Sequence, residues 1–150
     1  MVREVSYADL PSLAGEEVGV SEWLTISQER VNQFADATGD HQWIHVDVAR
    51  ATKEIGGPIA HGYLTLSLIP YFGSQILRVT GVSRGINYGS NKVRFTNMVR
   101  VGKRVRMREK LISVEPKSGG LQMIAECTIE IEGEDRPACV AETVSVLYGA

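Results

Sequence analysis

Residues 39–47, Gly-Asp-His-Gln-Trp-Ile-His-Val-Asp, place two histidines and two aspartates around a tryptophan and an isoleucine. Groups of these types serve three ends: holding a metal, moving a proton, or capping a helix. His41 and His45 stand four apart and would share one face of a helix. Gly39, however, marks the end of a helix just before them, and no third ligand follows at a zinc-site spacing, so no metal is expected. Proton transfer needs one group that titrates near neutrality and a second that can be tuned beside it. Asp40 and His45 meet that need, and on one turn both could reach a single water. Adding water to an activated double bond, or removing it, asks for such a pair. From spacing alone, a plain capping role for Asp40 stands beside this reading. Covalent and nucleotide chemistry find no support. There is no Gly-x-Ser-x-Gly elbow, neither Cys127 nor Cys139 has a histidine nearby in sequence, and the scattered glycines match no phosphate-binding fingerprint.

The elements that must position the pair can be read from periodicity. Ser27 is a good helix N-cap, Val31, Phe34, Ala35 and Thr38 recur at helical spacing, and Gly39 closes the helix. Asp47 can cap a second helix, Val-Ala-Arg-Ala-Thr-Lys-Glu-Ile, which Gly56-Gly57-Pro58 ends. In the run from Gly62 onward, Leu64, Leu66, Leu68, Ile69, Phe72, Ile76 and Leu77 surround the axis, the pattern of a buried helix. Pro70 should kink it, because proline removes one backbone hydrogen bond. After Gly81 the period changes to two. Leu121, Met123, Ala125, Cys127, Ile129 and Ile131 alternate with mostly polar neighbours, as do Ala138, Val140, Val144, Val146 and Tyr148. Residues 116–120 and 133–137 read as turns, and 86–95 and 104–114 as two further strands. Four long antiparallel strands after one buried helix make an α+β plan, and without linker or repeat the chain is expected to form one domain over residues 1–150.

Composition bounds the function. The chain of 150 residues is 43% hydrophobic and 23% charged, with a formal net charge of −2. No apolar run approaches the ~18 residues of a membrane span, so no membrane partner is expected. The first residues lack the order of a secretory signal, and two cysteines make no disulfide framework, so reduced core thiols and a cytoplasmic location are expected. Charge is uneven. Residues 84–110 hold Arg84, Lys92, Arg94, Arg100, Lys103, Arg104, Arg106, Arg108 and Lys110 against Glu109 alone. That local excess suits a phosphate-bearing partner, or else it is a solvated strand face. Few aromatics interleave with it and no recognition motif is present, so nucleic acid is not expected.

Phe34 to Asp47, followed by Gly56-Gly57-Pro58-Ile59-Ala60-His61-Gly62 and the apolar run, resembles the signature of the MaoC-like, or hydratase 2, family of (R)-specific enoyl-CoA hydratases, in its nodulation protein N-like branch. Gly39, Asp40, Ile44, His45 and the Ala60-His61-Gly62 triplet match the family motif. Gln42-Trp43 stands where the family has Asn-Pro, which leaves the Asp-x4-His spacing intact but alters the shape of the pocket. The resemblance implies a hot-dog fold, an antiparallel sheet wrapped around one long helix at about residues 62–78, and a homodimer. It implies reversible hydration of trans-2-enoyl-CoA to (3R)-3-hydroxyacyl-CoA, with Asp40 and His45 holding the water and no cofactor beyond the thioester carrier. Gly62, at the start of the long helix, is the expected donor to the thioester oxygen, His61 an organiser of that loop, and Trp43 a pocket wall or core residue. Asn91, Lys92 and Arg94 are expected at the CoA phosphates. A hot-dog thioesterase and a non-catalytic acyl-CoA-binding partner subunit are the alternatives, and neither explains the presence of both Asp40 and His45.

Overall fold

The computed structural model describes residues 1–150. Helix α1 (Gln28–Thr38) begins where Ser27 turns extended and its Oγ accepts from the Arg30 N–H at 3.1 Å. It ends at Gly39, whose φ of 83° lets its N–H reach the Ala35 carbonyl. Two further helices follow: α2 (Trp43–Val46), a single turn that periodicity does not reveal, and α3 (Val48–Ile55). Asp47 caps α3 by accepting from the Arg50 N–H at 3.1 Å, and Gly56 closes it with φ 81°.

The apolar run forms two helices, α4 (Gly62–Ser67) and α5 (Ile69–Ile76). Pro70 has no N–H to offer the Leu66 carbonyl, so the ladder breaks where expected. The Leu68 N–H tightens onto the Thr65 carbonyl at 3.2 Å, and the α pattern resumes with Phe72 donating to Leu68. Leu64, Thr65, Leu68, Phe72 and Ile76 are buried, whereas Tyr63 and Tyr71 are 69% and 47% exposed. The helix is therefore not enclosed on all sides, as its composition suggested: one stripe packs on the sheet and the tyrosine face is open. The helical run also stops at Ile76 rather than residue 78. Leu77–Thr80 forms β4, which pairs in parallel with the N-terminal β1 (Arg3–Ser6).

The main sheet is antiparallel. β2 (Glu17–Val20) and β3 (Leu24–Thr25) both pair with β6 (Arg104–Lys117), and the order continues through β7 (Gly120–Ile131) and β8 (Cys139–Gly149) to β5 (Val82–Phe95). Ser118 and Gly119, with φ of 54° and 80°, turn β6 into β7 in a left-handed geometry that matches the strand twist. Val105, Met107, Leu111, Leu121, Ala125, Cys127, Ile129 and Ile131 face inward and join α4 and α5 in one core cluster of 23 buried residues. This is the sheet-around-helix architecture of a hot dog, built as an α+β fold. Cys127 and Cys139 are free and buried, and burial pushes the Cys127 thiol up to about 12, so it behaves as an apolar core side chain. β5 pairs only with β8, which leaves one edge of the sheet open, and Ile86 and Tyr88 on that strand are exposed. No helix is long and apolar enough to cross a membrane.

Candidate active site

The loop after α1 and the extended segment before α4 meet at one place. Segment 59–60 is pinned on both sides: the Ile59 N–H donates to the Ile44 carbonyl at 3.0 Å, and the Ala60 N–H donates to Val99 at 2.8 Å. α2 is held from the other side by Gln28, whose Nε2 donates to the His45 carbonyl at 2.8 Å. His45 is buried, and its Nδ1 lies 2.6 Å from the Ile59 carbonyl oxygen. A carbonyl only accepts, so Nδ1 carries the proton and Nε2 is left with its lone pair. Burial is the main cause that lowers the His45 pKa below its ordinary value, which keeps the ring neutral. The pinned backbone thus fixes a neutral imidazole with a ring nitrogen able to accept a proton.

His61 is buried beside it, with its ring stacked on His45 at 3.8 Å between centroids. Its Nε2 donates to the Asp40 backbone carbonyl at 3.0 Å, which ties the Asp40 loop to the start of α4. Its Nδ1 is buried and has no partner. The Asp40 carboxylate is exposed and accepts one bond, 3.3 Å from the Gln42 N–H, which leaves it free acceptor capacity. Asp40, His45 and His61 each present one ligand-capable atom within 4.8 Å of the other two. Such a trio can grip a water, and its donor types are also those of a cation site.

His45 opens on a cavity of about 500 Å³, whose wall includes Ile59, Ala60, Gly62, Thr65, Phe95 and Met98. Gly62 opens α4, and the His61 carbonyl is already taken by the N–H groups of Leu64 and Thr65. The Gly62 N–H has no carbonyl behind it within the helix and so remains available at the cavity wall. A Cβ on Gly62 would stand 3.2 Å from the Phe95 ring, so a larger residue there would press on that ring at the cavity wall.

The other expected residues are placed differently. Trp43 lines neither this cavity nor the second one described below; it packs under the Arg50 guanidinium, 4.0 Å from the ring centroid, and joins α2 to α3. Asn91 donates to Glu142 at 2.9 Å, while Lys92 and Arg94 stand exposed on β5 outside the cavity wall, Arg94 one residue from Phe95. The basic stretch divides. Arg104, Arg106 and Arg108 pair with Glu132, Glu130 and Glu17 across neighbouring strands, as a solvated sheet face does. Arg136 was missed: it sits at the cavity on the loop between β7 and β8, which Asn97 holds by donating to the Arg136 carbonyl at 3.2 Å. A turn-rich Gly-Glu-Asp-Arg-Pro segment carries no periodic signal of that placement.

A family model described as "MaoC like domain" matches residues 9–130. The chain belongs to the MaoC-like family. It is 54% identical over 141 residues to 3-hydroxyacyl-thioester dehydratase Z of Mycobacterium tuberculosis, covering 93% of each chain. It is also 43% identical over 150 residues to nodulation protein N of Rhizobium leguminosarum bv. viciae, covering 97% of this chain and 93% of that one. Among solved structures, the unliganded R-hydratase of Pseudomonas aeruginosa superimposes with a TM-score of 0.75 at 23% identity, over 96% of this chain and 86% of the other. The (R)-hydratase of A. caviae gives 0.71 at 23% identity, over 87% and 95%. Both structural likenesses support the hot-dog fold.

Proposed function

We propose that this MaoC-like chain is a hydratase/dehydratase lyase that adds water to trans-2-enoyl thioesters to give (3R)-3-hydroxyacyl thioesters, and runs in reverse as a dehydratase. The observation that carries this reading is the neutral His45 with its Nε2 lone pair free beside the Asp40 carboxylate, at a cavity that Gly62 also lines. His45 Nε2 accepts a proton from the bound water while Asp40 accepts the second water hydrogen bond and fixes its direction. The oxygen forms its bond to C3, the C2–C3 π pair moves toward the thioester, and the proton returns from His45 to C2 on the same face. Charge develops on the thioester oxygen in the transition state, where a fixed N–H donor counts most. The Gly62 N–H supplies that donor. His61 acts as a positioning residue that holds the Asp40 loop and supports the His45 ring.

The 54% identical relative bears the name of a 3-hydroxyacyl-thioester dehydratase, which supports the same reaction here. Arg136 at the cavity, with Lys92 and Arg94 near its Phe95 wall, forms the proposed cationic contact for the phosphates of a CoA carrier. The open β5 edge, with exposed Ile86 and Tyr88, favours a homodimer, because an unpaired edge and its apolar side chains are satisfied by a second copy.

A thioesterase on the same fold is the reading to separate experimentally. Incubation with crotonyl-CoA and with butyryl-CoA does so. Loss of the enoyl absorbance without release of free thiol is the expected outcome. Free CoA from the saturated ester would identify a hydrolase instead.

A further inference from the structure

Glu109 occupies an inward-facing position of β6 between the core residues Met107 and Leu111, and is only 6% exposed. Its carboxyl makes no ion pair and no side-chain hydrogen bond, and lies against α5, where a Cβ on Gly73 would stand 3.9 Å from its Oε2. A buried carboxyl without a partner is expensive to keep, and a leucine of similar size would fit the surrounding core better. Nothing in the hydration reaction uses it.

The carboxyl faces a second cavity of about 830 Å³. Leu66, Ile69, Met123 and Leu147 give it apolar walls, but Ser67, Asn87, Ser90, Thr143 and Ser145 line it too. The two cavities are consecutive along the same elements. On α4, Gly62 and Thr65 line the first, and Leu66 and Ser67 the second; on β5, Phe95 lines the first, and Ser90, Asn87 and Ile86 the second. A hydrocarbon tail alone is served by apolar walls, and gains nothing from a buried carboxyl in the wall.

We propose that this second cavity receives the far part of the acyl group and that Glu109 accepts a hydrogen bond from a hydroxyl on it, so that the preferred substrates are tail-hydroxylated enoyl thioesters rather than plain hydrocarbon ones. The inference rests on the hydratase reading of the first cavity. Burial pushes the Glu109 carboxyl up to about 7, so it stands near its midpoint at neutral pH, and either protonation state can pair with a hydroxyl. A site built to hydrogen-bond a hydroxyl discriminates strongly against the analogue that lacks it, because the buried group is then left unpaired.

The test compares kcat/KM for trans-2-decenoyl-CoA and its ω-hydroxy counterpart, with crotonyl-CoA as a substrate that ends one methyl beyond the double bond. The wild type should favour the hydroxylated ester by roughly tenfold or more, the discrimination of about 1.4 kcal/mol or more that a satisfied buried hydrogen bond gives. Glu109→Leu should bring that ratio to one or below, and Glu109→Gln, which keeps an acceptor, should retain part of it. A wild-type ratio at or below one, or a ratio unchanged in Glu109→Leu, overturns the inference while crotonyl-CoA turnover leaves the hydratase reading standing. Failure to hydrate crotonyl-CoA would strike at that reading instead. Calorimetric titration with ω-hydroxydecanoyl-CoA and decanoyl-CoA then decides the inference without turnover: tighter binding of the former, abolished by Glu109→Leu, supports it, and equal affinity refutes it.

Discussion

At the residue scale, the proposed reaction rests on two side chains, Asp40 and His45, acting on one water. Asp40→Asn and His45→Gln should each lower kcat by about 10²- to 10⁴-fold, the usual contribution of a positioned proton-transfer group. The double variant should be little worse than either single one, because both groups act in one step and their effects do not add. Steady-state kinetics on variants with intact circular dichroism spectra check this, and full activity in either single variant contradicts it. His45 must be neutral to accept the proton, and burial holds its pKa below the ordinary 6.5. The acid limb of kcat/KM should therefore fall below pH 6.5, with activity lost as pH drops through the lowered value. A limb above 6.5 would show that a different group titrates. Much of this site was legible before the structure, since Asp40, His45 and Gly62 carry both chemistry and motif. The tautomer of His45 was not, because it depends on the Ile59 carbonyl, fourteen residues away and brought near by tertiary backbone bonds such as those to Ile44 and Val99.

At the scale of elements, the basic stretch shows where sequence reasoning runs out. A list of arginines cannot show which strand lies alongside, and cross-strand partners decide whether a cation is free. Arg104, Arg106 and Arg108 on β6 meet Glu132 just past the end of β7, Glu130 on β7 and Glu17 on β2, whereas Lys92 and Arg94 on β5 have no carboxylate in ion-pair contact. Replacing Lys92 and Arg94 together with Ala should raise KM for enoyl-CoA by roughly five- to thirtyfold with kcat nearly unchanged, because exposed phosphate contacts contribute on the order of 0.5–1 kcal/mol each. The effect should shrink as salt rises. Replacing Arg104 and Arg106 should change KM less, and the reverse order would move the carrier site to β6. The caps at Ser27 and Asp47 and the break at Pro70 were legible because each is a local rule. The open tyrosine face of α4 and α5 was not: it depends on how far the sheet curls around the helix, a tertiary property that an all-round apolar run does not encode.

At the scale of the whole molecule, the alternating strands and the apolar helix determine a sheet packed on a helix, and family resemblance supplies the wrapping that periodicity alone could not name. The unpaired β5 edge predicts association. Sedimentation should report a dimer, and Ile86→Lys with Tyr88→Lys should shift the distribution toward monomer, since charge on an edge strand opposes pairing. A wild-type monomer at micromolar concentration would remove the edge from the account. The central claim is the stereochemical course of hydration at the Asp40–His45 water, because a water held on one side of the cavity can reach only one face of C3. Chiral analysis of the product from crotonyl-CoA tests it most directly: the account predicts (3R)-3-hydroxybutyryl-CoA, and a (3S) or racemic product would contradict it.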